Sequence, residues 1–245
     1  MNDEFGLASL TPAGRDGLCG PGAREEFSRH GFIVLPKALE PRFCHHIVES
    51  LRGAELIEVS KQARTDRTYF LTLNGSELLS RASSLRTLYP ALGEVVSRIA
   101  GETLQPLDNA EIGVSLNYTP AGGQFVRHFD RNQFTVSMYL NDVRGGELNV
   151  WPNAVNSLLD RWGARGRSLA VRLTRLKKPI AISPRQGTLV LFDRRTVHSV
   201  RPVIGDRCRV SVIMAFDRPG VMFSREKEYY GFGTRRVRLD EVHAD

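Results

Sequence analysis

Cysteine is scarce: Cys19, Cys44 and Cys208 are three in 245 residues, an odd number with no Cys-x-x-Cys spacing. This excludes a disulfide framework and a cysteine-based zinc site, and it suits a reducing compartment. No apolar run approaches the roughly 20 residues needed to span a bilayer. The opening stretch MNDEFGLASL lacks the basic-then-apolar order of a secretory leader. The expectation is a cytoplasmic protein with no membrane partner. Basic runs interleaved with aromatics are also missing, and the pairs Arg194-Arg195 and Arg235-Arg236 are short. The formal charge of +7, from 34 basic and 27 acidic residues, is therefore read as solvated surface, and nucleic acid is not an expected partner.

What is present is enough apolar material for a substantial core, 41% of the chain. Residues 1–22 mix Gly, Pro, Ser and charge without periodicity and read as a flexible N-terminal arm, leaving 23–245 as a single domain. AREEFSRHG predicts a short helix stopped by Gly31, GFIVLPKAL a strand, and EPRFCHHIVESLRG a helix with Phe43, His46, Ile47 and Leu51 on one face. His45 and His46 are adjacent, so on a helix they point about 100° apart and cannot chelate one ion well. RTYFLTLNG predicts a strand and SLRTLYPALGEVVSRIAG a long helix.

From Glu111 the apolar period changes to two. In EIGVSLNY, Ile112, Val114, Leu116 and Tyr118 share a face; in FTVSMYLND, Phe134, Val136, Met138 and Leu140 alternate with Thr135, Ser137, Tyr139 and Asn141. An oily face and a polar face suit a wall that packs on helices outside and encloses a wet site inside. Further short strands are expected at ELNVWP, PIAI, GTLVLF and CRVSVIMAF. The basic stretch at 153–178 is longer than an ordinary connection and reads either as a lid that selects substrate or as a helix covering a sheet edge.

The chemistry concentrates in NYTPAGGQFVRHFD. His128 and Asp130, two apart on an extended backbone, leave the same face. Two histidines and one carboxylate bind Fe(II) on one face of an octahedron and leave the other positions open, so a distant second histidine is required. His198, in LVLFDRRTVHSVRPV, is the candidate. Arg209 and Ser211 follow on the polar face of CRVSVIMAF, with Arg207 of the same parity. An inward arginine is costly unless an anion meets it.

The stretches NYTPAGGQFVRHFD, FTVSMYLND, GGELNVWP, GTLVLFDRRTVHSVRPV and RCRVSVIMAF, in this order, resemble the Fe(II)/2-oxoglutarate-dependent dioxygenases, and among them the prolyl 4-hydroxylase-like branch. The resemblance implies an α+β fold with a mainly β core: a double-stranded β-helix, or jelly roll, over about 110–220, buttressed by N-terminal helices. It implies Fe(II) on His128, Asp130 and His198, with 2-oxoglutarate as co-substrate, O2 as oxidant and ascorbate as a candidate reductant. Arg209 with Ser211 is the commoner family arrangement for the far carboxylate of 2-oxoglutarate, while the shorter spacing of some relatives would select Arg207. Tyr118 and Tyr139 fall where prolyl hydroxylase-like enzymes place tyrosines on the co-substrate. Asp130 argues against halogenation, because related halogenases carry a small residue there. Ala215 stands where nucleic-acid demethylases carry a second arginine. The expected activity is hydroxylation of an unactivated C–H bond of a small molecule, an amino acid or natural-product intermediate; the alternative is a peptide or protein substrate. Arg127, Arg131, Asn132 and Trp151 flank the expected site.

Overall fold

The computed structural model describes residues 7–62, 67–155, 161–221 and 235–239. Its centre is an antiparallel sheet in which strands Phe32–Leu35, Leu189–Asp193, Phe134–Tyr139, Arg209–Asp217, Val114–Thr119, Arg67–Asn74, Glu55–Gln62 and Arg236–Arg238 lie side by side in that order. The short strand Gln105–Pro106 pairs with the end of Arg209–Asp217. A second, four-stranded sheet runs Ile180–Ile182, Leu148–Trp151, Val197–Val200, Phe125–His128. These two antiparallel sheets form the jelly roll, with helices packed on the outer face of the larger one.

The central strands of the larger sheet are buried on both sides, and side-chain parity separates what each side meets. Val114, Leu116, Val136, Met138, Val210, Val212 and Met214 enter the main hydrophobic core against the helices. Against them lies the helix Ser84–Ala100, which buries Leu85, Leu88, Tyr89, Leu92, Val95, Val96 and Ile99 at three- and four-residue spacing. It accommodates Pro90 at the loss of one backbone hydrogen bond and stops at Gly101, whose φ of 74° closes the helix in the left-handed region. The Tyr89 hydroxyl donates to the Ala215 carbonyl and accepts from the Leu107 amide, tying this helix to the sheet.

Three expectations need correction here. Of the supposed arm 1–22, residues 7–22 are part of the fold: a helix, Pro12–Cys19, is capped by Thr11, whose hydroxyl accepts from the Gly14 amide at 3.0 Å and donates to the Lys37 carbonyl at 2.8 Å. Leu10 and Leu18 are buried in the main core, so composition alone hid an apolar anchor. Gly14 is needed for this docking, since a Cβ there would lie 2.3 Å from the Ala38 carbonyl oxygen. Residues 1–6 lie outside the described residues. Second, the helix Pro41–Ser50 buries Phe43, Cys44 and Ile47 while His45 and His46 are both exposed, so neither histidine serves the core or a metal. Third, EIGVSLNY, read as one strand, opens with a helical turn, Ala110–Gly113, capped by Asn109. Among the described residues no helix is long and apolar enough to cross a membrane.

Candidate functional site

Strand Phe125–His128 lies antiparallel to Val197–Val200 with His128 opposite His198. The register then slips, Val200 pairing with Phe125, so the Phe125–His128 side carries one residue more. The two imidazoles meet with centroids 4.1 Å apart at 59°. Asp130, two residues past His128, points one carboxylate oxygen at both: Oδ1 is 3.7 Å from each Nε2. Ligand atoms of all three residues lie within 4.8 Å of one another.

The surrounding hydrogen bonds fix which atoms face the centre. Nδ1 of His128 lies 2.8 Å from the Val126 carbonyl and Nδ1 of His198 lies 3.2 Å from the Thr196 carbonyl; a carbonyl only accepts, so each Nδ1 carries the proton and each Nε2 keeps a free lone pair. Thr135 donates to Asp130 Oδ2 at 2.6 Å, leaving Oδ1 for the metal. Burial, and then the charge of His128, push the His198 pKa down to about 4, which keeps this imidazole neutral as a ligand must be. Two neutral nitrogens and one hard oxygen on one side of an open space fit Fe(II).

That open space is a cavity of about 370 Å³ reached by all three ligands. The strand faces turned away from the helices form its wall: Ser115 and Asn117, Thr135 and Ser137, Arg209, Ile213 and Ala215, Thr68 and Phe70, Val59 and Lys61. Leu107 and Ile112 close one side, Leu148, Phe192 and Val200 another. Arg209 is 3% exposed, and its guanidinium donates to Ser211 Oγ at 3.2 Å and stacks 4.9 Å from the Tyr139 ring centroid. Among the described residues no carboxylate pairs with it. Arg209 Nε, Tyr139 Oη and Ser137 Oγ are buried without hydrogen-bond partners. Arg209 and Ser137 line the cavity and Tyr139 lies beside Arg209; a buried guanidinium with two hydroxyls that have no partner among the described residues fits a carboxylate that arrives with the co-substrate. Arg207 is exposed and takes no part.

Tyr118 does not reach this place. Its strand turns Ser115 and Asn117 to the cavity and sends Val114, Leu116 and Tyr118 into the helix-facing core, where the Tyr118 hydroxyl engages the Cys208 thiol. Burial, reinforced by Cys208, pushes the Tyr118 pKa up. The two-residue alternation already placed Tyr118 on the oily face; the family position did not carry over. Arg131 and Asn132 line the cavity, whereas Arg127 stacks on Trp151 at 4.7 Å away from it. No described residue of 153–178 lines the cavity. The helix Gly163–Leu173 instead buries Ala170 in a cluster with Trp151, Val155 and Val197, with Phe129 packed against it, and so backs the His128–Asp130 turn from outside. Residues 156–160 lie outside the described residues.

The wall residues Val59, Lys61, Thr68 and Phe70 escaped the sequence reading. ELIEVSKQ turns Leu56 to the helices and Val59 to the cavity, so both faces bury apolar groups and no clean alternation survives.

The family model for the 2OG-Fe(II) oxygenase superfamily matches residues 114–217. No curated protein matches the chain. Among solved structures, an oxidoreductase of the 2OG-Fe(II) oxygenase family from Burkholderia pseudomallei is 14% identical, over 85% of this chain and 94% of its own, with a TM-score of 0.62. The prolyl hydroxylase of Trichoplax adhaerens, in complex with a peptide fragment of the hypoxia inducible factor oxygen degradation domain, is 16% identical over 87% of this chain and 91% of its own, TM-score 0.55. The epimerase SnoN of nogalamycin biosynthesis, in complex with Fe3+, alpha ketoglutarate and nogalamycin RO, is 16% identical over 82% and 88%, TM-score 0.58. At these identities the likeness to the solved structures is one of fold.

Proposed function

We propose that this 2OG-Fe(II) oxygenase, its family pattern carried by residues 114–217 and its iron by His128, Asp130 and His198, hydroxylates an unactivated C–H bond of a small molecule such as an amino acid or a natural-product intermediate. The observation that supports this reading is the cavity itself, in which the metal ligands, the buried arginine and an apolar wall share one space of about 370 Å³, in the size range of small-molecule sites.

The residues divide the work by position. Arg209 meets the far carboxylate of 2-oxoglutarate through a charge-assisted pair, and the hydroxyls of Tyr139 and Ser137 donate to it. Arg209 and the metal ligands line the same cavity, so a co-substrate held by Arg209 would lie within reach of the triad. Fe(II), when bound there, couples the oxidative decarboxylation of 2-oxoglutarate, to succinate and CO2, to insertion of one oxygen atom of O2 into the C–H bond. Thr135 holds Asp130 in a single orientation, and the carbonyls of Val126 and Thr196 hold the two imidazoles. Leu107, Ile112 and Ala215, a small apolar cluster, form the wall against which the apolar part of a substrate packs. Ala215 is small and uncharged where the resemblance would place a second arginine in a nucleic-acid demethylase, which speaks against that class of substrate.

The test is untargeted metabolite profiling with enzyme, Fe(II), ascorbate, O2 and 2-oxoglutarate. The expected result is a small molecule that gains one oxygen in step with succinate formation and only when 2-oxoglutarate is present. Oxygen gained instead by peptides of a parallel digest, with no change among metabolites, would move the assignment to a polypeptide hydroxylase.

A further inference from the structure

The stretch between strands Leu148–Trp151 and Ile180–Ile182 of the four-stranded sheet carries a feature that the cavity does not use. Five of the seven exposed large hydrophobic residues among the described ones fall between Trp162 and Ile180. Trp162, Leu169, Leu173 and Leu176 are 58%, 37%, 44% and 85% exposed, and their spacing of seven, four and three residues puts them in one stripe along the helix Gly163–Leu173 and the turn Thr174–Leu176. The adjoining face is already occupied, since Ala170 and Thr174, each one residue past a stripe leucine and so about 100° round the helix, are 1% exposed and Ala170 packs with Trp151 and Val197. From Arg161 to Lys178 the chain has seven basic residues and no acidic one.

An apolar stripe flanked by cations, with a tryptophan at one end, has the composition of a helix that lies in the plane of a membrane interface. We propose that this face docks on an anionic lipid surface, the stripe entering the acyl boundary and the arginines and lysines meeting phosphate headgroups. Charge decides against a second copy of the chain as occupant: the chain carries +7, and pairing two such faces would bring like charges together. A bilayer supplies negative charge and apolar interior together without needing a matched surface relief. The sequence expectation of no membrane partner rested on the lack of a spanning segment, a criterion blind to a helix that lies flat.

The full chain would be sedimented with vesicles of POPC alone and of POPC with POPG. Only two tryptophans are present, and Trp151 is 3% exposed, so a blue shift and quenching by brominated lipid report on Trp162. Binding to POPG vesicles should exceed binding to POPC by at least about tenfold, and Leu173→Ser/Leu176→Ser and Arg165→Gln/Arg172→Gln should each reduce it by about tenfold or more. Should the paired leucine variant fail to fold, Leu176→Ser alone decides, because that side chain is almost wholly in solvent. The proposal is overturned if the wild type ignores POPG vesicles, or if the leucine variants bind them as the wild type does. Retention on duplex DNA or an acidic polypeptide, without vesicle binding, would give this face a macromolecular occupant and overturn it equally.

Discussion

The guanidinium carbon of Arg209 lies 4.9 Å from the centroid of the Tyr139 ring, and each of the two residues keeps one buried polar atom, Nε and Oη, without a partner. Ring and cation hold each other in place while the atoms that would meet an anion stay free. Removing Arg209 should therefore be costly in one specific way. Arg209→Ala should weaken 2-oxoglutarate binding by about 2–5 kcal/mol, the usual range for truncating one side of a buried charge pair. Arg207→Ala, at an exposed position of the same parity, should leave binding unchanged. Titration calorimetry with Mn(II) in place of iron measures both, and a loss confined to Arg207→Ala would reverse the assignment.

The two tyrosines should part company. Tyr139→Phe removes a hydroxyl that has no partner among the described residues and that we assign to the co-substrate, so the dissociation constant for 2-oxoglutarate should rise by about fivefold to tenfold, equivalent to ~1–1.5 kcal/mol. The same change should leave the ligand-free protein as stable or more stable, because an unsatisfied buried group is gone. Tyr118→Phe should leave 2-oxoglutarate affinity alone, since this side chain faces the helices. Thermal melting with and without 2-oxoglutarate reads all of these effects; a Tyr139→Phe protein that melts lower without ligand would show that the hydroxyl has another partner.

Thr135→Val tests the support of the carboxylate. Without the 2.6 Å donor to Oδ2, Asp130 loses one of the contacts that orient it, and metal affinity should fall by about 10–100-fold while the fold persists. Competition of Mn(II) against a chelating dye gives the number. His128→Ala and His198→Ala should lose metal more completely and serve as the lower bound.

Gly14→Ala asks whether residues 7–22 belong to the fold. A Cβ would meet the Ala38 carbonyl oxygen at 2.3 Å, so the Pro12–Cys19 helix must shift, with an expected loss of about 1–3 kcal/mol in urea unfolding. Gly22→Ala, where a Cβ meets nothing within 4 Å, is the control and should cost little.

Thiol chemistry separates the three cysteines. Cys19 is exposed; Cys44 and Cys208 are buried, and burial pushes the Cys44 pKa up to about 11 and raises that of Cys208. A disulfide reagent should modify one thiol rapidly in the native protein and the other two only on unfolding. Mass mapping should find the fast site at Cys19.

His128 and Asp130 were legible from their two-residue spacing, and the burial of Arg209 and Ser211 on the cavity side from the polar parity of a strand whose other face is unbroken apolar; His198, on a separate strand, was legible only through the flanking motifs. The same parity puts Tyr118 on the helix-facing side, against the position the family resemblance suggested. The docking of Leu10 and Leu18 was hidden in a stretch rich in Gly and Pro, where two apolar anchors make no visible period. Val59 and Phe70 were not read as wall because a strand buried on both faces has no polar side to mark which way it turns. The arrangement of 153–178 depends on Trp151, Val197 and Phe129, contributed by separate strands and the metal-binding turn, and no local pattern announces that meeting.

The alternation of the sheet has a bearing on how such a protein can diversify. On Val114–Thr119, Phe134–Tyr139 and Arg209–Asp217 the even-numbered residues are committed to the helices, while the odd-numbered residues look into the cavity or the space beside it. Mutation can then explore one set without disturbing the other. Replacing Ser115, Ile213 or Ala215 would alter what the cavity accepts while the hydrophobic framework stays as it is. Inheritance could keep the scaffold and vary the guest by changing every second letter.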